Sequence, residues 1–225
     1  MATQLPLNLP TRTALGRDAF FVSPSNAVAL ASIDNWRNWP NGKMILCGPK
    51  GAGKTHLAQV WAAESGARVI AAERIADSDI SDLALTPLAI EDADRIAGKA
   101  DNEEALFHLH NMILAEGHAL LITAQSPPRG WNIGLPDLKS RMEGTSLTSL
   151  DQPDDTLLAA MLTKQFADRQ LKPSPEAVTY LLRYMERSAA EVERIVSRMD
   201  RRALSQGRKI SRQLAVETLA DPSEI

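Results

Sequence analysis

The segment at 48–55 reads GPKGAGKT. It fits the spacing G-x-x-x-x-G-K-[ST], and no other feature constrains the chain as much. The spacing does its chemistry only where a strand delivers the backbone into the loop and a helix leaves it. Both are expected here. The apolar run KMILCG (43–48) precedes the loop, and a helical segment (54–64) follows it. Glycines let the backbone wrap phosphates, and successive N–H groups at a helix N-terminus point at the anion. Gly48, Pro49, Lys50, Gly51, Ala52 and Gly53 form the cradle. Lys54 reaches the terminal phosphates, and Thr55 offers its hydroxyl to Mg²⁺.

Three more apolar runs read as buried parallel strands: ARVIAA (67–72), LTPLAIED (85–92) and HALLITA (118–124). A helix is expected before the loop (25–39), bracketed by Pro24 and Pro40. Another is expected at 102–116, with Leu106, Leu109, Ile113 and Leu114 inward and Gly117 ending it. Strand–helix alternation of this kind predicts an α/β fold with a parallel sheet. After Leu150 only helical patterns remain, at about 153–170, 174–187, 188–206 and 211–220. Asp151 and Ser174 are candidate caps for the first two, and Gly207 a stop for the third. The expected organisation is a tail at 1–13, a nucleotide-binding α/β domain at 14–150, and a small all-helical domain at 151–225.

Composition narrows the class. The 225 residues carry 25 Lys+Arg against 28 Asp+Glu, a net charge of −3, so bulk charge does not advertise a nucleic-acid binder. Cys47 is the one cysteine, which excludes an internal disulfide and fits a reducing compartment. No charged segment leads a long apolar run, so no secretory leader is expected, and no stretch is long enough for a bilayer. The expectation is a soluble, cytoplasmic protein with no membrane partner.

LAIEDAD (88–94) ends an apolar strand in Glu91 and Asp92. A phosphate-loop protein needs a carboxylate at a neighbouring strand end for Mg²⁺, and often a second to orient the attacking water. Glu91 stands where Asp is usual, and its longer side chain can reach the ion through a water. The next strand ends in Gln125, a candidate contact to phosphate or water. His108 and His110 lie two apart on a helix and face different sides, which argues against a metal site. Cys47 reads as packing, and the basic run at 194–209 as a solvated helix face.

With these motifs the chain resembles the AAA+ ATPases over 20–219, within the branch of the replication initiator DnaA and its shorter regulatory relative Hda. FFVSPSNAVA (20–29) resembles the segment that flanks adenine, and implies contacts from Phe21 and Val22. CGPKGAGKTHLAQ resembles the family's Walker A and following helix, which adds His56. LAIEDADRI resembles Walker B. LPDLKSRM (135–142) resembles the arginine-finger motif and places Arg141 at the finger. The helical domain resembles the AAA+ lid. The implied cofactors are ADP or ATP with Mg²⁺. AAA+ sites form between neighbours, so a homo-oligomer is compatible with this reading.

Two departures matter. The reading expects neither the DNA-binding domain that follows the lid in DnaA nor its N-terminal helicase-contacting domains. Instead QLPLNL (4–9) resembles the short peptides that dock on the replication sliding clamp, the β subunit of DNA polymerase III. Pro6 keeps such a segment extended. Leu7 and Leu9 then share one side for an apolar pocket, with Leu5 just before Pro6 and Gln4 as a hydrogen-bonding anchor. Second, Ala190 stands where the family's lid arginine contacts γ-phosphate, with Arg194 one turn later. The resemblance therefore implies a clamp-docked regulator that stimulates hydrolysis of DnaA-bound ATP, with weak ATPase of its own and DNA contact through the clamp. The alternative is a self-hydrolysing AAA+ ATPase acting as a helicase loader or DNA-targeting adaptor.

Overall fold

The computed structural model describes residues 11–12 and 20–220. The candidate clamp residues Gln4, Leu5, Leu7 and Leu9 lie outside the described residues. Two-residue strands at Thr11–Arg12 and Phe20–Phe21 pair with each other. The rest falls into two compact units, one of which is Asn26–Asp151 with a short N-terminal extension.

That unit holds five strands: β1 (Lys43–Cys47), β2 (Arg68–Ala71), β3 (Leu88–Glu91), β4 (Leu120–Ala124) and β5 (Leu147–Ser149). They form one sheet in the order β2-β3-β4-β1-β5. Every pairing is parallel, with Met44 opposite Leu121, Ile90 opposite Ile122 and Leu46 opposite Thr148. Parallel neighbours need crossovers, and the helices α2 (Lys54–Ser65), α3 (Ile80–Leu83), α4 (Ala100–Ala115) and α5 (Pro136–Glu143) supply them, after α1 (Ala27–Asp34) has led into β1.

Side-chain alternation divides the sheet into two faces. Ile45, Leu88, Ile90, Leu120 and Ile122 share one core with Leu106, Leu109 and Ile113 of α4. Leu46, Ala89 and Leu121, one residue out of phase, are also fully buried. Central strands covered on both faces explain the unbroken apolar runs in the sequence. Schellman bonds end α4 as expected: Gly117 N–H donates to Leu114 O at 3.1 Å and His118 N–H to Ile113 O at 3.0 Å.

Three local expectations change. The run at 67–72 forms β2, but at the sheet edge, with Arg68, Val69 and Ala71 exposed rather than buried. The first helix stops at Asp34, and a 3₁₀ turn follows at Trp36–Asn38. Trp39 stacks on the buried Trp61 at 5.4 Å, and its Nε1 donates to Ser32 O at 2.8 Å, which draws the chain back against α1 and α2. Finally, β5, α3 and α5 are short elements that periodicity did not show.

The second unit groups Phe21–Ser25 with residues 152–220. It contains α6 (Asp155–Asp168), α7 (Pro175–Tyr184), α8 (Ala189–Gln206) and α9 (Arg212–Ala220) around Leu162, Phe166, Leu181, Ile195, Met199 and Leu214. Ser174 caps α7 as expected, accepting from Ala177 N–H at 3.2 Å. The cap of α6 is Asp154, not Asp151: its Oδ1 accepts from Leu157 N–H at 2.7 Å, three residues on, the spacing a cap requires. Its other oxygen accepts from Ser25 N–H at 3.4 Å. Gly207 ends α8. Among the described residues no helix is long and apolar enough to cross a membrane.

Candidate nucleotide-binding site

β1 ends at Cys47, and α2 begins at Lys54. The six residues between them form the loop. Gly48 tolerates no side chain, because a Cβ there would lie 2.4 Å from Leu150 O. Leu150 N–H in turn donates to Cys47 O at 2.8 Å, so the chain after β5 packs directly on the start of the loop. Gly53 sits at φ +100°, a conformation that residues with a side chain rarely adopt, immediately before the first helical residue. The loop therefore brings α2's unbonded N–H groups to the carboxyl ends of the strands, where anions bind in sheets of this type.

Lys54 is 8% exposed, and its Nζ donates to Gly48 O at 2.7 Å and Pro49 O at 3.0 Å. The ammonium is thus held inside the loop. Burial pushes its pKa down, while Asp92 and Asp94 pull the other way. Thr55 and His56 are exposed on the first turn of α2. Cys47 donates to Ser126 O at 3.3 Å, and burial pushes its thiol up to about 11, so it behaves as a packing residue.

The acidic strand end is more ordered than the sequence suggests. Asp92 adopts left-handed φ/ψ of 54° and 47°, and its N–H donates to Thr123 Oγ1 at 3.1 Å. Its carboxylate faces Arg95 Nη2 at 3.0 Å. Asp94 was not singled out by sequence, yet its Oδ2 accepts from Gln125 N–H at 3.1 Å. Two bonds therefore tie the tips of β3 and β4 together. Glu91 Oε1 and Asp94 Oδ1 are buried with no hydrogen-bond partner among the described residues.

Hard oxygens of this kind, with the Thr55 hydroxyl, suit Mg²⁺. No cluster of three His, Cys, Asp or Glu able to hold a metal exists among the described residues. A cation here would accordingly be shared with a nucleotide's phosphates, as Mg²⁺ commonly is.

Arg141 lies elsewhere. It is exposed near the end of α5 and its guanidinium makes no hydrogen bond or ion pair among the described residues. Its backbone oxygen accepts from Lys43 Nζ at 3.2 Å. Lys43 opens β1 and the phosphate loop follows its end. Five residues at roughly 3.3 Å each separate the two.

These features correspond to known structures. The chain superposes on domain III of the Thermotoga maritima replication initiation protein DnaA with a TM-score of 0.77. That match covers 90% of this chain and 94% of that one at 18% identity. The fold is that of the AAA+ ATPases, in its DnaA-like form. A DNA replication initiation factor matches with a TM-score of 0.71 and 18% identity, over 84% of this chain and 65% of its own. AMPPCP-bound DnaA from Aquifex aeolicus matches with a TM-score of 0.68 and 18% identity, over 79% of this chain and 62% of its own. The chain thus spans less than two thirds of the latter two proteins. No family model matches the sequence.

Within this DnaA-like fold, the loop residues, Glu91, Asp92 and Gln125 converge at the carboxyl ends of β1, β3 and β4. Arg141 is not among them. In the helical unit, Ala190 is exposed at the start of α8. Arg194 Nε and Nη2 donate to Glu191 at 2.7 and 2.6 Å, so its guanidinium is already engaged. Phe21 and Val22 are half-buried and group with the helical unit.

Proposed function

We propose that the chain is an adenine-nucleotide-binding regulator of replication initiation that acts on the ATP of another protein. One observation carries this reading. Among the described residues Arg141 is exposed and its guanidinium unengaged, at the opposite end of β1 from the chain's own phosphate loop. An arginine side chain extends about 7 Å, so it cannot cover the roughly 13 Å between the strand's ends. An arginine so placed fits a finger offered in trans, which stabilises charge on a transferring phosphoryl group.

The DnaA-like fold favours DnaA as the recipient. The peptide at 4–9 supplies the tether to the β sliding clamp, and clamp-borne copies gain from effective concentration. The chain's own site holds ADP or ATP through the 48–55 loop, with Lys54 on the phosphates and Thr55 and Glu91 toward Mg²⁺. Bound Mg²⁺ would screen phosphate charge there. Hydrolysis at that site is slow on this reading. Asp92 is paired with Arg95, and Arg194 with Glu191, while Ala190 offers no γ-phosphate contact.

The test is single-turnover phosphate release from ATP-loaded DnaA with clamp, DNA and this protein. Acceleration is expected, and Gln4, Leu7 and Leu9 together changed to alanine should remove it while leaving ADP affinity intact. Rapid hydrolysis of the protein's own ATP, with no effect on DnaA, would favour the self-hydrolysing loader or adaptor instead.

A further inference from the structure

The geometry points to Lys43 and Glu103 as positioning residues that hold the Arg141 helix by its two ends, with His110 fixing Lys43. The inference rests on the finger reading above.

At the start of α5, the buried carboxylate of Glu103, 2% exposed, reaches across from α4. Its Oε2 accepts from Leu135 N–H at 2.8 Å and Gly134 N–H at 3.0 Å, and its Oε1 accepts from Gly98 N–H at 2.6 Å. The Gly134 and Leu135 N–H groups lie at the positive end of α5, while Gly98 precedes α4 and ties the carboxylate to its own helix start. Burial alone would raise the Glu103 pKa, but the Gly98, Gly134 and Leu135 donors together hold it below the usual carboxylate range.

At the far end, Lys43 is 6% exposed and donates to Arg141 O at 3.2 Å. Thr145 Oγ1 donates to the same carbonyl at 2.7 Å. That carbonyl is one of the last-turn groups no helical N–H can reach. Lys43 Nζ also donates to His110 Nε2 at 3.0 Å, which leaves His110 Nδ1–H to donate to Asn111 Oδ1 at 3.1 Å. A buried anion thus meets the helix N-terminus and a buried cation its C-terminus, each at the end its charge favours.

The like charges matter as well. Arg141 lies within electrostatic reach of both Lys43 and His110. Repulsion from the buried ammonium disfavours the guanidinium folding back on the sheet, and leaves it directed outward. Holding a charged group in place before reaction is how such groups stabilise a transition state without reorganising. The clamp predicts a loss in maximal rate rather than in docking.

The experiment titrates DnaA–ATP, clamp and DNA with wild type, Lys43→Met, Lys43→Arg and Glu103→Gln, following phosphate release. Lys43→Met should lower the maximal stimulated rate about tenfold, leave the half-saturating concentration and ADP affinity unchanged, and be largely restored in Lys43→Arg. Glu103→Gln supplies the same comparison if Lys43→Met does not fold. Nitrogen NMR of His110 should show a neutral Nδ1–H ring whose Nε2 signal moves in Lys43→Met. A Lys43→Met protein with the wild-type maximal rate overturns this inference alone. A wild type that does not stimulate DnaA overturns the finger reading and the inference with it.

Discussion

The two ends of β1 are built on opposite principles. Beyond Cys47 the site is made of backbone: glycines, N–H groups and one lysine drawn into the loop. At Lys43 it is made of buried charge, with an ammonium gripping the last turn of a short helix whose first turn is held by a carboxylate from α4. On the proposed function, the first arrangement receives a ligand and the second presents a side chain. One rigid strand carries both, so their spacing is fixed by the most buried part of the sheet. On the proposed function the protein holds its own nucleotide at one end and reaches toward another's at the other, which needs that fixed spacing.

The sharpest test separates the ends by mutation. Arg141→Ala should fold, bind ADP and dock on the clamp, yet reduce stimulated hydrolysis on DnaA by about 10³-fold or more. Arg141→Lys should fail nearly as badly, because an ammonium cannot reproduce the planar guanidinium fork. Phosphate release at wild-type rate from the alanine variant would make the protein's role positional.

The converse substitution is Lys54→Ala. Removing the charge held in the loop should weaken ADP binding by about 100-fold, equivalent to about 2.7 kcal/mol. Calorimetry with ADP and Mg²⁺ checks this. Unchanged affinity would remove the phosphate-site assignment, whatever happens at Arg141.

The contrast also explains what could be read in advance. The loop was legible because its chemistry needs fixed residue types at fixed spacing within eight consecutive positions. The central strands were legible because burial on both faces leaves continuous apolar runs. The β2 run looked the same in sequence but lies at an edge, since composition does not tell a strand how many neighbours it has. The clamp on α5 was not legible at all. Lys43, Glu103 and His110 come from β1 and α4, and only the crossover topology brings them to α5. Glu103 looks like any acid in a helix's first turn. Asp94 escaped notice for a similar reason: its partner, the Gln125 amide, is 31 residues away.

Glu103 sharpens the comparison through stability. Its carboxylate accepts bonds from three backbone N–H groups in a buried setting, so Glu103→Gln should cost about 1–3 kcal/mol at pH 7. Its folded pKa is depressed, so the contribution of the charge is present above the ordinary value of 4.5 and is lost as pH falls through the folded value. Urea melts at pH 7 and pH 3 should therefore show the wild type and variant further apart at the first than at the second. A gap that stays constant with pH would mean that shape, not charge, makes Glu103 useful.

The smallest effect belongs to His110, and it tests the other end of the same helix. Burial, then the Lys43 charge, push its pKa from 6.5 down to about 4. The folded state therefore refuses a proton that the unfolded chain accepts. Stability from this residue is complete above pH 6.5 and declines as pH falls toward the folded value, because protons bind the unfolded state first. Linkage puts the loss at about 1 kcal/mol at pH 5.5. His110→Gln keeps a polar side chain beside Lys43 but cannot titrate, so its stability between pH 7 and 5.5 should fall by about 1 kcal/mol less than wild type. The remaining histidines are common to both proteins and cancel in the difference. If the two curves run parallel, His110 is protonated as readily in the folded state as out of it. Lys43 would then lack the neutral acceptor that fixes it, and the C-terminal half of the clamp would fail while the Glu103 half stood.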